Sequence, residues 1–258
     1  MTAHLVELYR YRVLIATLVV RELRARYRGS LLGFLWSFLN PLLLMAVYLL
    51  VFSVYLRVPL EGYAVFLFSG LLPWLWFSSS LGHAVGVIVG SGALVKRVFF
   101  PAEILPLVSV LSNLANFLLS LPLLIVFLLA FGIRLTPALA FLPLLLLLQL
   151  VLTAGLALPL AALNVHLRDV EQILGNFLIL WFFLSPILYP VSTVPEWLKP
   201  LYFLNPLAGL IQGYQNVFFF GAPPSWAHLG VVAVFALAAL VGGYWVFDRL
   251  RDSLAEEV

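Results

Sequence analysis

The sequence predicts an all-α polytopic membrane protein, and three observations carry that prediction. Of its 258 residues, 64% are hydrophobic and 10% charged, against about 45–50% and about 25% in an ordinary soluble domain. A mean hydropathy of +1.12 leaves too little polar surface to coat a globule in water. The charges are also segregated, because six long uncharged stretches divide the chain. Finally, six of the fourteen Lys and Arg residues crowd into the segment ending at Arg28. That asymmetry points to an anionic membrane face rather than to nucleic acid. No cysteine is present, so disulfides, thiolate metal sites and cysteine nucleophiles are excluded.

Residues 1–28 are expected to be neither a signal peptide nor a span. Glu7, Arg10, Arg12, Arg21, Glu22, Arg24, Arg26 and Arg28 interrupt every apolar run, and no small-residue cleavage site follows. Arg21, Arg24 and Arg28 share a helical face, while Leu14, Leu18 and Val19 can sit in the acyl boundary. This predicts an amphipathic helix lying on the cytoplasmic leaflet. A plain positive-inside anchor explains the same charges.

A bilayer core about 30 Å thick takes about 20 helical residues to cross. Five uncharged stretches exceed that length without reaching twice it. They run from Arg28 to Arg57, from Glu61 to Lys96, from Glu103 to Arg134, from Arg134 to Arg168 and from Glu171 to Glu196. Each holds one span, which places spans 1 to 5 within residues 29–190.

The last stretch, from Lys199 to Asp248, is long enough for either two spans or one span and a folded-back segment. Six spans put Lys96, Arg97, Arg168, Arg249 and Arg251 inside with the N-terminal arginines and leave only Arg57, Arg134 and Lys199 outside. Seven would expel Arg249 and Arg251 against the positive-inside rule. Residues 191–226 carry Pro195, Pro200, Asn205-Pro206, Gly209, Gly213, Gly221 and Pro223-Pro224, so they are expected to form external re-entrant helices. Span 6 then occupies 227–248 and a cytoplasmic tail 249–258. The whole is one transmembrane domain with both termini cytoplasmic.

The missing motifs restrict function. Apart from Asp248 at the very end of span 6, no span contains Asp, Glu, Lys or Arg, so the midplane charge that commonly couples an ion is absent. His83 is the only titratable group well inside a span, and a lone histidine among small residues reads as packing. The two lysines, Lys96 and Lys199, belong to no GxxxxGK[ST] phosphate loop. No carboxylate pair, HExxH or GxSxG suggests catalysis or a metal site. Any energy for transport must come from a partner. The residues by themselves leave open an ion-coupled carrier and a membrane glycosyltransferase.

Two cytoplasmic loops stand out. Lys96-Arg97-Val98-Phe99-Phe100-Pro101 is basic, then aromatic, then helix-breaking. It suits either a short helix docked in a partner's groove or a tether with its two phenylalanines in the interface. Glu103 is placed to serve the N-terminus of span 3 through the helix dipole. In the second loop, Asp169 followed by Gln172 predicts a capping-box-like start to span 5.

Three segments and their spacing carry a resemblance. They are RELRARYRGSLLGFLWSFLNPLLL from Arg21 to Leu44, LVKRVFFPAEILPL from Leu94 to Leu107, and LNVHLRDVEQIL from Leu163 to Leu174. With the later SPILYP and YFLNPLAGLIQGYQNVFF, the chain resembles the membrane subunits of type-2 ABC polysaccharide exporters, which export O-antigen, capsule and teichoic acid. Gln215 departs from the pattern, since many relatives carry arginine there.

The resemblance implies a homodimer in the bacterial inner membrane with two copies of a cytoplasmic ATPase. ATP and Mg would be bound in that partner and no cofactor in this chain, and the substrate would be a lipid-linked glycan. It favours ATPase docking for Lys96 to Pro101 and places Arg168 and Asp169 at a cytoplasmic gate, tying span 4 to the basic N-terminal helix. An exporter of this fold carrying a drug or small lipid is the alternative.

The aromatic residues, 15% of the chain, admit two readings. Trp74, Trp76, Phe77, Trp197, Trp226 and Trp245 suit the interfacial belts. Phe34 and Phe38 on span 1, and Trp181, Phe182 and Phe183 on span 5, lie deeper and are the candidates for a glycan channel. Flat apolar rings pack against sugar C–H faces with few strong hydrogen bonds.

Overall fold

In lipid no water is available to bond the backbone, so an apolar stretch satisfies its amides internally by forming a helix. The computed structural model describes residues 10–27, 29–30, 32–55, 57, 60–92 and 101–257, and among these there is no β-strand. Helix α1, Arg12–Tyr27, is followed by α2, Trp36–Leu49, which continues in π-helical geometry through Leu50–Tyr55. Next come α3, Tyr63–Gly90, and α4, Ile104–Ala130. A 3-10 turn, Pro137–Phe141, leads into α5, Leu142–His166. Helix α6 is Asp169–Phe183, α7 is Lys199–Tyr202, α8 is Pro206–Gln215 with a π-helical extension Asn216–Phe220, and α9 is Trp226–Glu257.

Among the described residues, five helices are long and apolar enough to cross a membrane: Trp36–Tyr55, Tyr63–Gly90, Ile104–Ala130, Pro137–His166 and Trp226–Leu254. The sixth expected span is shorter. Helix α6 has 15 residues, about 22 Å at 1.5 Å each, before the chain turns through the buried residues Ser185 to Leu188. Helix α9 runs on to Glu257, so the expected tail continues the helix rather than leaving it. His166 Nε2 lies 2.9 Å from Ser253 Oγ and fastens that continuation to the end of α5.

Helix α3 is the centre of the bundle. Tyr63 to Trp74 along it are all buried, and α4, α5, α6 and α8 pack around it. Trp74, Trp76 and Phe77 are therefore core residues, with 6%, 2% and 0% exposure, and not the belt residues their composition suggested. Trp197, Trp226 and Trp245 are exposed, as belt residues are expected to be. In α1, Leu14, Leu18 and Val19 are half-buried, while Val13, Val20, Arg21 and Arg24 face outward. The helix lies along α4, and these three side chains are partly covered.

The tightest backbone approach joins α5 and α9. A methyl group on Gly155 would fall on the backbone of Ala239 and Leu240, and one on Gly243 would fall on the carbonyl of Gly155. Lipid-embedded helices have no hydrophobic drive toward each other, so such contacts depend on small residues that admit backbone approach. Helix α8 is wedged among α3, α5 and α9, with Leu207 to Ile211 and Gly213 to Gln215 buried. Its exit needs Gly221, whose φ of 62° is left-handed.

Candidate functional site

Among the expected coupling residues only Pro101 falls within the described structure. It is buried at the start of the turn leading to α4, while Lys96, Arg97, Val98, Phe99 and Phe100 lie outside the described residues. Glu103 is the cap residue of α4 but makes no side-chain cap bond. It is 3% exposed, and among the described residues its Oε2 is buried without a hydrogen-bond partner.

The second loop differs from its expected chemistry. Helix α6 begins at Asp169, so Arg168 is the cap residue and no side-chain cap bond forms. Asn164, from the last turn of α5, takes that role instead: its Oδ1 accepts from the Glu171 amide at 3.1 Å. Asp169 lies in the first turn, where its charge favours the helix dipole. Both Arg168 and Asp169 are exposed, and among the described residues neither forms an ion pair. The link between α5 and α6 is thus made by an amide side chain, with the charged pair left on the surface.

The deep aromatics separate by environment. Phe182 is 6% exposed and packs with Tyr48 of α2 and Trp74 of α3, both ring centroids 5.5 Å away. Trp181 meets Phe77 edge-on at 5.2 Å, and its indole donates to Asn205 Oδ1 at 2.8 Å. Phe183 is 56% exposed. Phe38 is half-buried on α2. Phe34 falls in the 3-10 turn Gly33–Leu35 ahead of α2, so the two phenylalanines are not on one continuous α-helix. On α6, Phe183 presents the most open ring of the three candidates.

Arg21 and Arg24 stay exposed on α1, and Arg28 lies outside the described residues. Arg26 reaches other helices. Its Nη1 donates to Asn113 Oδ1 of α4 at 3.0 Å, and its Nη2 lies 3.4 Å from both Glu22 Oε1 and His83 Nδ1. Asn113 Nδ2 donates to the Ser109 carbonyl at 2.7 Å and lies 3.2 Å from His83 Nδ1. His83 is exposed and joins a polar knot between three helices, rather than being the isolated packing residue its lone occurrence suggested.

Arg26 and Asn113 of that knot also line a crevice of about 480 Å³. Ser37 and Asn40 of α2, Ser79 of α3, and Asn113, Asn116 and Ser120 of α4 give it a polar wall, and Leu72, Leu75, Trp76 and Phe117 give it an apolar one. Among the described residues no carboxylate lines it. A signal for it does exist in sequence: Ser109, Asn113, Asn116 and Ser120 recur at helical spacing through a leucine-rich segment.

Gln215, at the position that departs from the family pattern, is 2% exposed. It donates to the Pro186 carbonyl at 2.6 Å, bracing α8 against the turn after α6.

Comparison with known proteins identifies the architecture. Residues 13–219 match the ABC-2 type transporter family. The chain is 44% identical over 254 residues to an O-antigen export system permease protein of Myxococcus xanthus, covering 98% of each chain. It is 31% identical over 246 residues to an O-antigen export system permease protein of Klebsiella pneumoniae, covering 94% of each. To a polysialic acid transport protein of Escherichia coli it is 26% identical over 251 residues, covering 94% of this chain and 95% of the other. A helical bundle without a phosphate loop, matched over most of its length, belongs to the ABC-2 type transporter family as a membrane-embedded permease.

Proposed function

We propose that this chain is the transmembrane subunit of an ATP-driven exporter carrying a lipid-linked polysaccharide of O-antigen type across the bacterial inner membrane, from the cytoplasm outward. The observation that carries the reading is the end-to-end match to an O-antigen export permease, 98% of both chains. Export against a gradient needs an energy source, and the sequence holds neither a phosphate loop nor a charged midplane residue. The energy is supplied by a separate cytoplasmic ABC ATPase that binds ATP and Mg, two copies serving a homodimer of this chain. A second copy provides the other wall of the glycan path. The outward face of α6, with Phe177, Leu180, Phe183 and Leu184 exposed, is the apolar surface available for it.

The topology that fits this work has six crossings and both termini cytoplasmic. The five long helices are joined by the shorter α6, which the buried turn Ser185 to Leu188 extends. Residues 191–226 re-enter from outside, and α1 lies at the cytoplasmic face. This arrangement gives the charge distribution the positive-inside rule requires. Lys96 to Pro101 couples the chain to the ATPase, and Arg168 and Asp169 border the cytoplasmic gate.

The test is genetic and biochemical. Loss of this chain should leave completed glycan on the cytoplasmic side, and the tagged chain should copurify with an ABC ATPase whose hydrolysis rises with the lipid-linked glycan. Undiminished display of glycan at the cell surface after deletion would overturn the reading.

A further inference from the structure

Polar side chains at membrane depth are costly and mark pathways or binding sites. The crevice between α1, α2, α3 and α4 concentrates them. Asn113 and Ser120 lie about 14 and about 24 Å along α4 from Ile104, at 1.5 Å per residue. The crevice therefore climbs from the basic end of α1 well into the span.

Its chemistry is selective. Among the described residues the lining holds one cation, Arg26, and otherwise hydroxyls, amides and apolar or aromatic surface. Arg26 has five N–H donors. Among the described residues its contacts with Asn113, Glu22 and His83 engage Nη1 once and Nη2 twice, which leaves Nε and one Nη1 proton for a ligand. Glu22 pairs with Nη2 at 3.4 Å from outside the lining, so among the described residues no carboxylate forms part of the crevice wall. Amides and hydroxyls facing aromatic rings suit a sugar, whose hydroxyls bond while its C–H face packs on the rings. A guanidinium at one end suits a phosphoryl oxygen.

We infer that this crevice is a binding site for the phosphoryl–sugar junction of a lipid-linked glycan, with Arg26 on the phosphoryl group and Asn40, Ser79 and Asn116 on the first sugar. The inference rests on the proposed export function and deepens it by naming where the chain recognises the linkage end of its substrate. The knot of Arg26, His83 and Asn113 positions the guanidinium for that contact.

The test uses the full-length chain in phosphatidylcholine nanodiscs without its ATPase. The probe is a short-chain polyprenyl diphosphoryl N-acetylglucosamine, measured in parallel with the unglycosylated polyprenyl diphosphate and with phosphatidylglycerol as competitor. The parental chain should bind the glycosylated probe saturably and more tightly than the bare diphosphate. Arg26→Gln should weaken both about tenfold, the loss of one charge-assisted contact. Asn40→Leu combined with Ser79→Val should weaken only the glycosylated probe, again about tenfold. This pair is the folding-safe variant, because apolar side chains at these positions suit lipid and the Arg26 knot is untouched.

No saturable binding, or unchanged affinity in the Asn40→Leu/Ser79→Val chain, would remove the sugar site. Equal displacement by phosphatidylglycerol would reduce the crevice to a phospholipid headgroup site and overturn the assignment. Glycan export in cells separates the two levels: parental export by these variants sinks the crevice while leaving the exporter reading intact, whereas absence of export dependence on the chain itself sinks the latter.

Discussion

Asn205 shows how much a single polar residue can hold in such a bundle. Its Oδ1 accepts from the Leu207 amide at 3.0 Å, capping α8, and from the Trp181 indole at 2.8 Å. Its Nδ2 reaches the Leu184 carbonyl at 3.2 Å and Ser185 Oγ at 3.3 Å. One amide thus joins the end of α6 to the start of α8. Asn205→Ala removes the cap and strands the indole N–H, at a cost of about 2 kcal/mol. Asn205→Asp keeps both accepted bonds and should recover about half of that loss. Thermal unfolding of the detergent-solubilised chain measures both, and equal stability of Asn205→Ala and the parent would contradict the bracing role. Asn205-Pro206 was legible as a helix-breaking pair, but the partners of its amide, in α6 and the turn that follows it, were not.

The helices are governed by a few close contacts. The start of α6 depends on Asn164, so Asn164→Ala should cost about 1 kcal/mol and loosen the first turn. Asp169→Ala should cost less, because it removes only a dipole interaction worth about 0.3–1 kcal/mol at an exposed site. Hydrogen exchange at Glu171 distinguishes them, and a larger effect from Asp169→Ala would restore the conventional cap. The crossing of α5 and α9 is more demanding. Gly155→Leu or Gly243→Val forces two backbones apart, and even ordinary overpacking costs about 1–3 kcal/mol. The purified variants should be markedly more sensitive to trypsin than the parent, with Gly230→Ala, at a position that meets nothing within 4 Å, as the unaffected control.

The whole molecule is expected to link lipid, glycan and ATPase across the membrane. With no native cysteine, single cysteines report sidedness without background. Labels at Ser30, Ser91 and Ser253 should react from the cytoplasm, and those at Thr136 and Ser225 from outside. Reaction of Ser253 from outside would require seven crossings and would abolish the re-entrant segment. Coupling is tested at the loop before α4. Buried aromatic anchors usually carry most of an interface and rim charges little, so Phe99→Ala with Phe100→Ala should uncouple export from ATP hydrolysis while the chain still inserts. Lys96→Gln with Arg97→Gln should mainly weaken ATPase association in a salt-dependent way. Parental export by the phenylalanine variant would reduce the loop to a tether and move coupling to α1 or the Arg168-Asp169 turn.

The sequence alone determined the solvent, the apolar segments and the family. Transfer of a segment into lipid depends on its summed hydrophobicity and flanking charge, both of which are read along one dimension. It also located the breaks after Val191, because proline and glycine act on their own backbone. Only the tertiary structure decided which faces meet. Trp74 and Trp197 read alike in sequence, yet one is 6% and the other 80% exposed. The same holds for Asn164 over Asp169 as the stabiliser of α6, and for a crevice assembled from four helices. The physical reason is that lipid is as apolar as leucine, so burial does not choose a helix face. Backbone contact at small residues and the pairing of sparse polar groups choose it, and those partners lie far apart in the chain.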